Sequence, residues 1–248
     1  MRPVTRRQVV LGAAALALPP WRAAQAQAGA GVPRFSASAP GGALPAGWAH
    51  ETLPKVERAN QFALVADGGV TVLHVRSQAA ASSLVATLPT GGGSVARAQW
   101  RWKVSRALAG SDFRVKPGDD YAARLYVLFD LPLDRLAFAD RLRIQATRSL
   151  SGRDIPTAAI CYVWGQAQPV GSTGWNPYTD RVRMVVVDSG QEFAGQWRSI
   201  ERDLARDWQE AFPGPMPPVR AVAVGADTDN TSDQVDTWFG DVRLPGTA

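Results

Sequence analysis

The sequence predicts an all-β chain, an antiparallel β-sandwich or jelly roll, with one short α-helix near residues 203–212. Three observations carry that prediction. Short runs rich in Val, Ile, Leu and aromatic residues recur with turn residues between them. Within several runs the side chains alternate with period two, apolar on one side and polar on the other. Only "DLARDWQEAF" has a clear helical period, with Leu204, Trp208 and Phe212 at i, i+4 and i+8. Asp203 is placed to cap its start, and "PGPMPP" cannot continue it.

Taken in order, the chain opens with "MRPVTRRQVVLGAAALALPPWRAAQAQAG", a basic start, an alanine- and leucine-rich stretch, and small residues at Ala24, Ala26 and Ala28 that suit signal-peptidase cleavage. Residues 1–28 are therefore expected to be an export signal. The pair Arg6 and Arg7 resembles a twin-arginine address. Pro19 and Pro20 interrupt the apolar stretch, which is shorter than the roughly 20 residues a bilayer needs. The expected mature chain has no transmembrane segment and is periplasmic or secreted. Four of the 27 basic residues (Arg2, Arg6, Arg7, Arg22) lie in this segment and none of the 22 acidic ones, so the rest of the chain carries a balance of only +1. That balance gives no reason to expect a nucleic-acid partner.

Residues 29–47, small and rich in Pro and Gly, read as a flexible leading arm. Residues 48–248 read as a single β-sandwich domain. Its strands are expected at "QFALVA", "VTVLHVRS", "SSLVATLP", "ARAQWRWKV", "DDYAARLYVLFD", "TAAICYVWG", "RVRMVVVDSG", "QWRSIER", "VRAVAVGAD" and "DTWFGDVRL". "TGGGS" reads as a hairpin turn between two of them, and a weaker helix is suggested around "LPLDRLAFADRL". Alternation in "DDYAARLYVLFD" puts Tyr121, Ala123, Leu125, Val127 and Phe129 on one face and Arg124, Tyr126 and Asp130 on the other. Tyr162 and Trp164 share a face in "AICYVWG", opposite Cys161 and Val163.

Most familiar chemistries find no residues here. The only cysteine, Cys161, cannot form an intramolecular disulfide and sits in an apolar run. Two histidines, His50 and His74, and no G-x-S-x-G give no serine-histidine triad. Clustered Cys and His for zinc are absent. No cofactor is expected and no metal ligand set is assigned. The aspartate-rich "GADTDNTSDQVDTWFGD" fails as an EF-hand in both registers, since Ser232 or Gln234 stands where glycine is required and Trp238 or Gly240 where glutamate is. A less regular calcium cage from Asp227, Asp229 and Asn230 stands against the plainer reading of turn residues that satisfy their own backbone. "ERDLAR" offers Glu201 and Asp203 but ends in Arg206, without the third carboxylate of a strand-borne glycosidase motif. Tyr126, Tyr162 and Trp164 are the aromatic residues with polar company, and hence the candidates for a sugar-stacking platform.

The run of "WRWKV", "KPGDDYAARLYVLFD", "YVWG", "NPYTDR" and "GADTDNTSDQVDTWFGDVRL" resembles the bacterial domain-of-unknown-function family 3047, from about Trp48 to Leu244. The resemblance implies an exported protein of undetermined activity, similar to β-sandwich modules that bind carbohydrate. Matching positions in the first half are Asp119, Asp120, Arg124 and Tyr126. In the second half they are Asn176, Tyr178, Thr179, Asp227, Asp229 and Asn230. The expected function is binding of a glycan or other polyhydroxylated ligand. A polysaccharide hydrolase or lyase using paired aspartates, and a structural partner in the cell envelope, are the alternatives.

Overall fold

The computed structural model describes residues 31–53, 56–89, 95–136 and 157–246, with positions 141 and 145. The expected export signal and the whole "TGGGS" turn lie outside the described residues. Twelve strands form two sheets. In chain order the first six are β1 (Trp48–Thr52), β2 (Gln61–Asp67), β3 (Val70–Gln78), β4 (Ala81–Thr87), β5 (Arg97–Val104) and β6 (Tyr121–Phe129). Then come β7 (Ala158–Gly165), β8 (Thr173–Asn176), β9 (Thr179–Ser189), β10 (Arg198–Asp203), helix α1 (Leu204–Ala211), β11 (Val219–Asp227) and β12 (Gln234–Phe239). The seven-stranded sheet has the order β1-β4-β11-β6-β7-β9-β8, and the five-stranded sheet β10-β5-β12-β3-β2. The fold is a β-sandwich. All pairs are antiparallel but one, since β7 and β9 run parallel.

All ten expected strands form, and the two additions, β1 and β8, are the edges of the larger sheet. Both are short and carry polar or small residues, "WAHET" and "TGWN". Such segments have weak patterns of their own and are held by the neighbour they pair with. Of the weaker helix, the described part is the 3-10 turn Leu133–Arg135 together with Arg141, which is α-helical, as is Gln145 just beyond the segment.

The core lies between the sheets. On β5 alternate residues point inward, so Trp100 and Trp102 are buried while Gln99, Arg101 and Lys103 stay partly open. Trp102 packs against Trp100, Trp164 and Phe239 with ring centroids 5.5, 6.2 and 6.2 Å apart. Its indole N–H donates across the sandwich to buried Asp188 at 2.7 Å. Residues 31–47, expected as a flexible arm, pack against this core instead. Phe35, in a 3-10 turn, is fully buried and stacks on Trp48 at 4.9 Å, and the Trp48 indole donates to the Pro33 carbonyl. The Pro- and Gly-rich composition hid one aromatic anchor, and burying a Phe contributes about 1.5–3 kcal/mol, alongside Val32 and Leu44 of the same segment.

Helix α1 forms where its period placed it. Leu204 and Trp208 are fully buried and Phe212 nearly so; Trp208 stacks on Phe212 at 4.3 Å and meets Phe129 at 4.8 Å. The Asp203 carboxylate accepts the Arg206 backbone N–H at 3.0 Å. Asp203→Ala is expected to lower stability by about 1 kcal/mol, measured by urea denaturation; no change would remove the cap as a contributor.

A second apolar cluster covers the outer face of the seven-stranded sheet, including Val85, Leu128, Cys161, Val182, Met184 and Ala223. Phe113, from the loop between β5 and β6, closes over it. A Cβ built on Gly174 would lie 2.3 Å from the Phe113 ring, so the ring packs directly on the β8 backbone. All eight residues of β7 are consequently buried.

Candidate functional site

A β-bulge sets up the site. Between β11 and β6 the register runs Gly225 to Arg124 and then Asp227 to Tyr121, two steps on one strand against three on the other. The extra residue lies in the Ala122-Ala123 pair, and both alanines join the inter-sheet core. Tyr121 therefore leaves the face it was expected to share with Ala123 and Leu125 and turns to the outer face with Arg124 and Tyr126. The Ala122 carbonyl, displaced from the ladder, is satisfied by the Thr237 hydroxyl of the opposite sheet.

Beyond the bulge the chain enters the 3-10 turn Lys116–Gly118 and Asp119-Asp120, while the antiparallel neighbour β11 ends at Asp227. The two chain ends are therefore side by side. Arg124, 4 % exposed, projects between them. Its Nη2 lies 3.2 Å from Asp119 Oδ1 and 3.0 Å from Asp227 Oδ2, and Nη1 donates to the Tyr126 hydroxyl at 3.0 Å. The Asp119 backbone carbonyl accepts from the same guanidinium. Asn176, at the end of β8, donates from Nδ2 to Asp119 Oδ2 at 3.0 Å, and its own Oδ1 accepts the Tyr178 N–H at 3.1 Å. The pairing of Asn176 with Thr179 makes Pro177-Tyr178 the centre of a tight turn.

Asp120 is fully buried and serves the neighbouring loop. Its carboxylate accepts from the backbone N–H groups of Asn230 at 3.2 Å and Thr231 at 2.8 Å, and from the side chains of both residues. The Tyr178 hydroxyl reaches Asn230 Oδ1 at 3.4 Å. Three of the motifs singled out in the sequence, "GDDY", "NPYT" and "DTDN", thus meet at one place.

The run "YVWG" does not join them. Tyr162 and Trp164, expected as platform residues, are fully buried between the sheets. The Tyr162 hydroxyl donates to Asp207 at 2.6 Å, and the Trp164 indole donates to the Gly190 carbonyl at 3.0 Å. Period two shows that these two rings share a face. It does not say that the face is the inner one, and here it is. Neither ring presents a surface to a ligand. The glycosidase-like pair is equally ordinary: Glu201 is bonded by Arg97 and Gln99 on the outside of the smaller sheet, and Asp203 is the cap of α1.

Electrostatically the site is crowded. Burial pushes the Asp119 carboxyl up from its ordinary value, against the pull of Arg124 and Asn176. Asp227 is pushed up further by burial, opposed by Arg124 and reinforced by the carboxyl of Asp229. Burial works against the charge of Arg124, but Asp119, Tyr126 and Asp227 hold the guanidinium protonated. The Cys161 thiol, buried beneath Tyr126, is raised to about 12 by burial, which makes it an inert packing group.

Beside these groups a pocket of about 120 Å³ opens on the outer face of the larger sheet. Asp119, Arg124, Asn176 and Asp227 line its polar end, with Tyr126 and Thr179 beside them; Val85, Leu128, Val182 and Ala223 form an apolar wall. Gly225 lines it too, and a Cβ there would come within 2.6 Å of the Ser82 carbonyl. The apolar wall was not singled out in the sequence. Its residues look like ordinary strand apolars, and only the sheet order brings β4, β11, β6 and β9 to one patch.

Several solved structures are similar to the chain. One is the family 30 carbohydrate-binding module of a cellulosomal cellulase of Clostridium thermocellum, at 11% identity and TM-score 0.33, covering 87% of this chain and 92% of that one. Another is the xyloglucanase domain of NopAA, a type three effector of Sinorhizobium fredii, in complex with cellobiose, at 11% identity and TM-score 0.38, covering 80% and 94%. A third is the cellulose-induced protein Cip1, at 13% identity and TM-score 0.34, covering 81% and 91%. No curated protein matches the sequence. Residues 46–243 match one family, described as a protein of unknown function.

Proposed function

The chain belongs to that family, DUF3047, and we propose that it is an exported protein that binds a glycan or another polyhydroxylated ligand in the outer-face pocket. The observation that carries the proposal is the make-up of the pocket. A charged end with fixed acceptors and a fixed guanidinium adjoins an apolar wall within about 120 Å³. Sugar hydroxyls donate to carboxylates and accept from guanidinium, while the ring's C–H face packs on aliphatic side chains; small-molecule sites commonly have this mixture. The volume suits a terminal unit or one projecting residue better than a chain lying along a groove.

Binding is favoured over hydrolysis because the two carboxylates at the polar end are already engaged. Asp119 is bonded by Arg124 and Asn176, and Asp227 by Arg124. A role as a purely structural partner finds little support, since among the described residues the exposed large hydrophobics are Val70, Val115, Val170 and Trp175, spread over different segments.

The test is a cell-envelope glycan array followed by calorimetry on the best ligand. Thr179→Arg, which fills the pocket mouth from a half-buried position, is expected to weaken binding at least tenfold, about 1.4 kcal/mol, with the unfolding midpoint unchanged. Absence of binding to every glycan, or full affinity in the variant, would defeat the proposal.

A further inference from the structure

Behind the pocket, the loop after β11 brings together more negative charge than its surroundings neutralise. Asp119 and Asp120 are buried, Asp227 is 9 % exposed, and Asp229 stands at the rim. Among the described residues the buried cation beside them is Arg124, which is ion-paired to Asp119 and Asp227. Lys116 lies outside, over the Tyr178 ring. Four carboxyl groups thus face one guanidinium. An isolated buried carboxylate is costly unless it is paired or coordinates a metal.

A second observation concerns one atom. Asp227 Oδ2 is held by Arg124, but Oδ1 is shut off from solvent and accepts no hydrogen bond from the protein. A carboxylate oxygen in that position needs a partner. Asp120, Asp227 and Asp229 each offer an oxygen, and the three lie within 4.8 Å of one another. Oxygen ligands about 2.3–2.6 Å from a calcium ion are separated by up to roughly 5 Å. Turn hydrogen bonds account for Asp120, whose oxygens hold Asn230 and Thr231 in place; they do not account for Asp227 Oδ1.

We propose that Asp120, Asp227 and Asp229 bind a divalent cation of the calcium class. Asn230, a ligand in the calcium cage considered from the sequence, instead points its amide at Asp120 and fixes the loop from which Asp229 reaches the ion. A divalent ion reduces the excess of three negative charges to one, and water completes its oxygen shell. Because Asp227 also contacts Arg124 at the pocket floor, the ion fixes the orientation of that carboxylate. The site stands apart from glycan binding, since the ion alone is its ligand.

The experiment is calorimetric titration of the chelator-treated full-length mature protein with calcium chloride, with thermal unfolding in calcium and in EDTA. Asp229→Asn tests the site at its half-buried rim, its unfolding midpoint in EDTA serving as the folding check, and Asp236→Asn, which pairs with His74 on the other sheet, is the control. The wild type is expected to take up one ion per chain and to gain a few degrees in Tm at saturating calcium. Affinity should fall at least tenfold in Asp229→Asn and stay unchanged in Asp236→Asn. No uptake at millimolar calcium, or equal uptake by wild type and Asp229→Asn, overturns the proposal.

Discussion

Replacing Arg124 with methionine is expected to destabilise the protein by about 3–5 kcal/mol, the range found when one partner of a buried ion pair is removed. Methionine keeps much of the side-chain volume, so the loss is electrostatic rather than a cavity. Without the guanidinium, Asp119 and Asp227 keep their burial and lose the group that lowers their pKa. Burial raises both carboxyls, and a raised carboxyl takes up its proton as pH falls. The deficit is therefore largest well above their folded-state pKa and shrinks as pH falls through it. Urea denaturation in EDTA, repeated across pH, measures both features. The triple variant Arg124→Met, Asp119→Asn, Asp227→Asn should recover a substantial part of the loss, because the two carboxylates that Arg124 paired are then neutral amides. A cost under about 1 kcal/mol for the single change would mean that water reaches the cluster and that the pocket is not the dry site described above.

The second large effect belongs to the core. Trp102→Ala is expected to cost about 3–5 kcal/mol. The side chain is fully buried among Trp100, Trp164 and Phe239, and its removal also leaves Asp188 Oδ2 without the indole donor. Trp102→Phe separates the two contributions. It keeps an aromatic ring between the sheets but deletes the 2.7 Å hydrogen bond, so its cost should fall nearer 1–3 kcal/mol, the range for an orphaned buried acceptor. Arg198 still holds Asp188 Oδ1 at 3.0 Å, which limits the damage. Equal losses for Ala and Phe would show that the hydrogen bond, and not the packing, carries the residue's contribution.

The two residues illustrate different degrees of legibility. Trp102 could be assigned to a buried face from "RAQWRWKV" alone, because alternation on a strand sorts side chains strictly by parity. Arg124 could be set opposite Leu125 and Val127 by the same rule. What it would find on that face could not be read, since its partners Asp119 and Asp227 come from a turn and from a strand about a hundred positions later. Tyr121 marks where parity itself failed. A single bulge reversed it, and nothing in "DDYAARLY" announces an extra residue.

The sequence by itself determined ten of the twelve described strands, helix α1 with its cap, and, away from the bulge at Tyr121, which residues share a strand face, because these depend on periods of two and 3.6 that are local to the chain. On β7, buried on both faces, tertiary structure alone decided which face became the interior, turning Tyr162 and Trp164 inward. It recruited β1 and β8 as edges and drew residues 31–47 into the packing around Phe35. It also joined "GDDY", "NPYT" and "DTDN" around Arg124, while "YVWG" went to the core. The physical reason is the same in each case. Strand order and register follow from how two sheets bury the largest apolar area while pairing most of the buried polar groups, and that is a property of the whole chain rather than of any segment.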